Sequence, residues 1–354
     1  ATTMVVVGAD VHKRTHTFVA VDEVGRQVGQ CTVEATTKGH AKALVWARRA
    51  FGEEVTWAIE DCRHLSARLE RDLLTVGQAV VRVPPKMMAE QRRTARTRGK
   101  SDPIDALAVA RAFLREPSLP VACHDEVSRE AKLVVDRRES LVNTRTRTIN
   151  SLLWRVHELD PGRAPKPRSM DLVKHQQILK AWLETLTGVV AEMALDELND
   201  IIALTVRIKE FDKRLAVLVK QEAPSLLALA GCGELSAAKL LGESAGITRF
   251  HSEAAFARHA GIAPIPVWSG NTTGRVRMTR SGNRQLNCAI HRIAITQARM
   301  PGTLGKAYYE KKLAEGKSTT EALRCLKRRL ARVVFQLLTT DHNNRQTPAL
   351  PAAA

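Results

Sequence analysis

Within the first 115 residues, β-branched apolar runs alternate with helical periods, and few folds accommodate that alternation. Val5-Val6-Val7 runs into Gly8-Ala9-Asp10. His16 to Val21 and Gln27 to Val33 read as the next strands, with a turn at Asp22-Glu23-Val24-Gly25 between them. Lys38 to Phe51 has helical spacing, Val55 to Ile59 is a short strand ending at Glu60, Leu65 to Leu74 is helical, and Ala79 to Val83 is a strand stopped by Pro84-Pro85. Three strands in a meander followed by αβαβα predict an α/β domain on a mixed sheet. A polar, basic stretch from Pro84 to Lys100 leads into Ser101-Asp102-Pro103-Ile104-Asp105. That motif opens a helix through Ala106 to Leu114, with Asp102 expected as its cap and Pro103 at the first helical position.

The rest of the chain reads as mostly helical. One long helix is predicted from Ser128 to about Glu158, then a Pro/Gly/Arg-rich break at Asp160 to Ser169. A second helix starts near Leu172 or Glu192 and ends at Gln221. Two such helices suggest a coiled-coil hairpin, either an oligomerisation device or an intramolecular spacer. Leu226 to Ala230, Gly231-Cys232-Gly233 and Ala237 to Leu241 give helix–Gly turn–helix, the pattern of a helix-hairpin-helix, whose turn amides face a phosphate. A polar loop at Ser269 to Gly274 precedes another helix, and a basic helix is predicted from Thr319 to Leu338. The expected division is residues 1–126 as an α/β domain, 127–222 as the helical region, 223–340 as a mostly helical C-terminal domain, and 341–354 as a disordered tail.

Charge narrows the function. Lys and Arg number 55 against 37 Asp and Glu, a net charge of +18 that attracts polyanions, nucleic acid first. The basic residues are spread along the chain rather than along one amphipathic segment, which disfavours a membrane surface. No apolar run approaches the roughly 18 residues of a membrane span, and no basic stretch precedes the first apolar run as in a signal peptide. The six cysteines are scattered without a C-x-x-C pair, so reduced thiols in a cytoplasmic protein are expected. Aromatic residues are only 4%, so phosphate contacts, rather than base stacking, are expected as the main binding mode.

Four carboxylates fall where a sheet would gather them: Asp10 and Glu60 at strand ends, and Asp102 and Asp105 on one face of a helix start. Singly, each reads as a strand end, a loop residue, or a cap and its partner. Together, in a basic protein, they read as ligands for one or two Mg²⁺ ions acting on a phosphodiester. Ser269, ahead of Gly270 and near Arg275 and Arg277, can serve as a nucleophile on phosphorus or as an ordinary loop residue. Ser281, also before a glycine, is an equal rival. Tyr308-Tyr309 reads as a packing pair, without the Arg/His constellation that a tyrosine recombinase requires.

These residues together resemble the insertion-sequence-110-type DEDD transposases, relatives of the Piv/MooV DNA invertases, over nearly the whole chain. The carriers are Gly8-Ala9-Asp10-Val11-His12-Lys13, Ala58-Ile59-Glu60, Lys100-Ser101-Asp102-Pro103-Ile104-Asp105-Ala106, Leu229-Ala230-Gly231-Cys232-Gly233, Arg249-Phe250, His259-Ala260-Gly261-Ile262-Ala263-Pro264, Trp268-Ser269-Gly270 and Ser281-Gly282-Asn283-Arg284-Gln285-Leu286. Family members commonly have Ser or other polar residues immediately before the serine, whereas here Val267 and Trp268 precede it. The resemblance implies a RuvC-like, RNase H-type N-terminal domain holding Asp10, Glu60, Asp102 and Asp105, a coiled-coil region, and a C-terminal transposase domain whose nucleophile is Ser269 by motif position. It further implies a noncoding bridge RNA that pairs with target and donor DNA, and a tetramer as the working form. On this reading the chain is a site-specific recombinase using a phosphoserine intermediate. A protein-only Piv-type invertase and a RuvC-like Holliday-junction nuclease are the alternatives. Lys13, Lys86, Arg92, Arg93, Arg96, Arg98, Lys100, Arg145, Arg147, Arg275, Arg277, Arg280, Arg284, Arg328 and Arg329 are the expected contacts to nucleic acid.

Overall fold

The computed structural model describes residues 4–61, 63–94, 101–274, 276–278 and 282–346. The N-terminal part is built on a five-stranded sheet of β1 (Val5–Val11), β2 (Thr15–Val21), β3 (Gln27–Glu34), β4 (Val55–Glu60) and β5 (Ala79–Val83). Its order is β3-β2-β1-β4-β5. The three leading strands form an antiparallel meander, and β4 runs parallel to both β1 and β5. This mixed sheet is consistent with an RNase H-type domain.

Helices cover both faces. On one, α1 (Thr37–Phe51) and α2 (Arg63–Thr75) bury Ala43, Leu44, Leu69 and Leu73 against Val7, Phe18 and Trp57. Thr36 caps α1 by accepting from Gly39 N. On the other face, α3 (Pro85–Thr94) and α4 (Asp102–Arg115) bury Met88, Val109, Ala110 and Phe113 against Val6, Val19, Val21 and Val81. The stretch from Pro84 read as a polar connection therefore includes a helix, tied to the core by Met88. Asp102 is not the cap of α4. Ser101 occupies that position, without a side-chain cap bond, and Asp102 is the first helical residue. A bridge between Val81 and Val121 covers the outer edge of β5.

Two 34-residue helices follow, α5 (Glu126–Leu159) and α7 (Val189–Glu222), with α6 (Val173–Leu183) between them. Both suggested starting points of the second helix thus correspond to real helices. The cross-links Arg214–Glu130, Arg138–Asp212, Arg145–Thr205 and Ser151–Glu197 show that α5 and α7 run antiparallel. Leu152, Val156, Leu179, Leu183, Leu198 and Ile201 form the core where α6 joins the pair. The chain continues through α8 (Pro224–Leu227), α9 (Glu234–Ser244), α10 (Glu253–His259) and a short hairpin of β6 (Pro264–Pro266) and β7 (Val276–Met278). It ends in α11 (Arg284–Arg299), α12 (Leu304–Ala314) and α13 (Thr319–Gln346). The first helix of the Gly-turn motif is thus a single turn, Pro224–Leu227, shorter and earlier than expected. At Gly231 (φ +78°) a side chain would press on Thr296 of α11.

The expected tail start at residue 341 is also corrected. Helix α13 runs on to Gln346, because Asp341 is buried where its Oδ1 accepts from Ser225 N (3.1 Å) and Arg345 donates to the Glu222 carbonyl. Residues 347–354 lie outside the described residues.

The chain forms two compact units. One holds residues 1–126 with 245–282, and the other holds 127–244 with 283–354. This division cuts across the expected C-terminal block 223–340. In the first unit, Cys123 donates to the Ala245 carbonyl (3.7 Å) and Arg258 pairs with Glu116 (3.5 Å), which fastens residues 245–282 to the sheet domain. In the second, α9, α11 and α13 close on one another. Lys132 pairs with Glu243 (2.7 Å), Glu243 accepts from Asn283 Nδ2 (2.7 Å), and Asn283 Oδ1 caps α11. Among the described cysteines (Cys31, Cys123, Cys232, Cys288 and Cys325) none is in a disulfide, and no described helix is long and apolar enough to cross a membrane.

Candidate metal centre

The site starts from the two-residue period of β1. Val6 faces the α4 side, so Gly8 and Asp10 face it too, while Val7, Ala9 and Val11 face α1 and α2. Gly8 lets the helix close in. A Cβ there would lie 2.1 Å from the Ala106 carbonyl oxygen and 2.7 Å from the Ala110 nitrogen, both backbone atoms. With α4 seated directly on β1, its first turn, carrying Asp102 and Asp105, comes to the end of the strand that carries Asp10. The positive N-terminal end of the helix favours carboxylates there.

The result is a tight acidic cluster. Asp10 is buried, with its Oδ2 3.0 Å from His12 Nε2, and the same nitrogen lies 3.4 Å from Asp102 Oδ1. Ligand atoms of Asp10, His12 and Asp102 all lie within 4.8 Å of one another. Burial raises the Asp10 carboxyl above the usual carboxylate range, and the charges of Asp105 and Asp102 push in the same direction. The imidazole of His12 opposes them. Asp105 is itself buried. Carboxylates drawn together at the rim of the sheet, with Asp10 buried and Asp102 open to solvent, fit a divalent cation with oxygen ligands that keeps water in its shell.

Glu60 ends β4, on the same face as Ala58 and hence as α4. The parallel pairing Ala9↔Ile59 makes Asp10 and Glu60 neighbours at the next position. Glu60 is half-buried and lies outside the trio of close ligand atoms. His12 is the residue that motif reasoning left without a role. Its signal was the spacing, since alternate residues of a strand share a face.

Ser269 lies in the same unit as the cluster, in the loop joining β6 to β7, and is exposed. Ser281, its rival, lies outside the described residues. Near the base of this segment, Arg249 is buried, donates to His259 Nε2 (3.0 Å) and stacks 4.6 Å over Phe250. The motif residues Arg249, Phe250 and His259 thus form one packed group.

The basic residues divide. Lys13, Arg93, Arg147, Arg277, Arg284 and Arg329 are exposed, and Arg328 is half-buried. Arg329 also stacks 4.7 Å over Tyr308 on α12, which gives that tyrosine a packing role. Arg145 does not face solvent. It is 9% exposed, donates to Thr205 Oγ1 (3.1 Å) and pairs with Asp171 (2.8 Å), which pins the chain after α5 to α7. Arg145 is therefore not the exposed contact that the sequence suggested, because its two terminal nitrogens are engaged inside the helical region. Lys86 and Arg92 belong to α3. Arg96, Arg98, Lys100, Arg275 and Arg280 lie outside the described residues.

Comparison with known proteins adds the family. A family model described as "Transposase", for the DEDD type of IS110, matches residues 7–158, which span the sheet, α4 and all four carboxylates. A second, "Transposase IS116/IS110/IS902 family", matches residues 223–310, which include Ser269. The chain belongs to the IS110 family of transposases. Transposases of this family cleave and rejoin DNA. A similar protein is the uncharacterized 44.8 kDa protein of insertion element IS116 from Streptomyces clavuligerus, 26% identical with 94% of each chain covered. The uncharacterized 42 kDa protein of IS900 from Mycobacterium paratuberculosis is also 26% identical, over 86% of this chain and 88% of that one. Among solved structures, Thermus thermophilus RuvC in complex with a Holliday-junction substrate matches with 16% identity, a TM-score of 0.27 and coverage of 33% of this chain and 99% of RuvC.

Proposed function

We propose that this IS110-family transposase is a site-specific recombinase that joins itself to DNA through Ser269 and uses the carboxylate cluster as its metal centre. The observation that carries the reading is the convergence of Asp10, Asp102 and Asp105 at the point where Gly8 admits α4. Asp10 and Asp102, with Glu60 and Asp105, hold one or two Mg²⁺ ions. When bound, the metal neutralises the scissile phosphate and favours the ionised form of an attacking hydroxyl. His12 holds Asp10 and Asp102 in register from one nitrogen.

Ser269 Oγ attacks the phosphorus of a strand. The Oγ–P bond forms, a deoxyribose P–O bond breaks, and the proton lost by the serine balances the hydroxyl gained by the departing strand end. A hydroxyl from another strand then displaces Oγ, so the bond energy is conserved without ATP. Arg277, exposed on β7 of the same hairpin, meets the charge that develops on the phosphate. The net charge of +18 supports broad backbone contact with target and donor DNA and with a guide RNA. A tetramer brings two donor and two target ends together.

The test is covalent trapping on the element's own junction DNA with Mg²⁺. Wild-type protein is expected to give a detergent-resistant protein–DNA adduct that Ser269→Ala lacks. An adduct that persists in Ser269→Ala, or DNA cleaved by that variant at the wild-type rate, would assign the nucleophile elsewhere. Sequencing the RNA that copurifies with the chain tests the guide. One discrete RNA encoded beside the gene is expected, whereas only random fragments removed by high salt would refute guidance.

A further inference from the structure

The segment that carries Ser269 is an arm. It leaves the protein at Gly261 and returns at Gly282, and there the two backbones touch. A Cβ at Gly282 (φ +124°) would lie 2.6 Å from the Gly261 nitrogen, so only glycine closes this base. Beyond the base the pairing Pro264↔Met278, Ile265↔Arg277, Pro266↔Val276 holds the two sides together. Every described side chain from Pro264 to Arg277 is exposed. Four of these are large and apolar: Ile265 at 41%, Val267 at 41%, Trp268 at 52% and Val276 at 60%. Apolar exposure of this extent, on a hairpin that buries almost nothing, marks a contact surface rather than a core.

Charge says what the surface meets. Between Glu253 and Glu310 the sequence has no Asp or Glu, and Arg277 is exposed on the arm. Against a second copy of this +18 chain, an acid-free arm would meet like charge. Against DNA it meets phosphates, and the indole next to the nucleophile meets bases.

We infer that Trp268 is a nucleobase wedge that stacks on the base flanking the phosphate attacked by Ser269. The inference rests on the assignment of Ser269 above and deepens it. An indole presents a large face to any unstacked base, independent of sequence. Apolar side chains inserted at a base step open the stack and kink the duplex. Val267 precedes the indole in the chain, Val276 is exposed opposite Pro266, and Arg277, exposed on β7, supplies the phosphate contact, so the arm offers one side chain for the base and another for the backbone. Sequence choice stays with other parts of the complex, while the wedge fixes which phosphate lies beside the serine.

The test compares two probes of equal charge on the full-length protein: a 20-nucleotide oligo-dT and an abasic strand of the same length. Wild-type protein is expected to bind oligo-dT more tightly. Trp268→Ala is expected to reduce that preference by about fivefold or more, and Trp268→Phe to retain most of it, at unchanged salt dependence. An unchanged preference in Trp268→Ala overturns the wedge. If Trp268→Ala instead lowers the oligomeric state in sedimentation and leaves the preference intact, the arm is an interface between copies and the proposal fails. A wild-type protein that binds neither strand refutes the DNA-joining assignment itself. A protein that binds both, with the preference indifferent to residue 268, refutes only the wedge. An exposed residue on a hairpin leaves the thermal transition of all variants near wild type.

Discussion

Replacing Gly8 by Ala tests the geometry that assembles the site. The added methyl would sit 2.1 Å from the Ala106 carbonyl oxygen and 2.7 Å from the Ala110 nitrogen. Both obstacles are helix backbone, so α4 must retreat as a body by about 1 Å, at a typical overpacking cost of roughly 1–3 kcal/mol. The retreat carries Asp102 and Asp105 away from Asp10. Misplacement of this size costs on the order of a hundredfold in rate where geometry sets the barrier. Urea unfolding followed by circular dichroism is expected to show a folded protein with a lower midpoint and an unchanged slope. DNA strand cleavage at saturating Mg²⁺ is expected to fall about a hundredfold. Stability and cleavage both within experimental error of wild type would refute the reasoning, because the helix would then not bear on Gly8. A loss of stability with full cleavage activity would refute the link between α4 and the metal centre.

Two further predictions concern groups away from the centre. His16 is buried with its Nδ1 unpaired, and burial, helped by the neighbouring His40, lowers its pKa to about 4. The unfolded chain therefore takes up this proton first as pH falls through 6.5. Stability is expected to drop by about 2–3 kcal/mol between pH 6.5 and 4, read as urea midpoints across that range, and His16→Phe should flatten the slope. A wild-type midpoint independent of pH there would contradict it. Arg145→Ala is expected to cost roughly 3 kcal/mol, because it leaves the partners of a buried guanidinium unpaired, without changing the salt dependence of DNA binding. Arg147→Ala, on an exposed position of the same helix, should leave stability alone and reduce the salt slope by about one. Reversed outcomes would mean that the two arginines have been assigned to the wrong surfaces.

Legibility followed the physics of each segment. β1 to β5 were readable because β-branched runs broken by Gly, Asp and Pro leave little alternative. Helix α3 was not, since Pro85–Thr94 is polar apart from Met87, Met88 and Ala89, and so lacks an apolar stripe. The β6–β7 hairpin was hidden by Pro264 and Pro266 and by three-residue strands whose side chains are nearly all exposed. The end of α13 was hidden because Asp341 looks like tail composition until its bond to Ser225 is seen. Arg145 shows the same limit: a charge is read as surface unless a distant partner, here Thr205 and Asp171, is known to receive it. At the candidate site, the positions of Asp10, Asp102 and Asp105 were readable from strand ends and helix starts. The contribution of Gly8 and of His12 required knowing which helix lies on which face.

The most direct measurement is anomalous diffraction from crystals of the full-length protein soaked in Mn²⁺, a stand-in for Mg²⁺ at oxygen ligands. A peak bounded by the carboxylates of Asp10 and Asp102, with Asp105 or Glu60 completing the oxygen set and absent in Asp10→Asn, is the predicted result. Mn²⁺ that binds elsewhere, or a density at this place that survives Asp10→Asn, would contradict a metal centre built on β1 and α4.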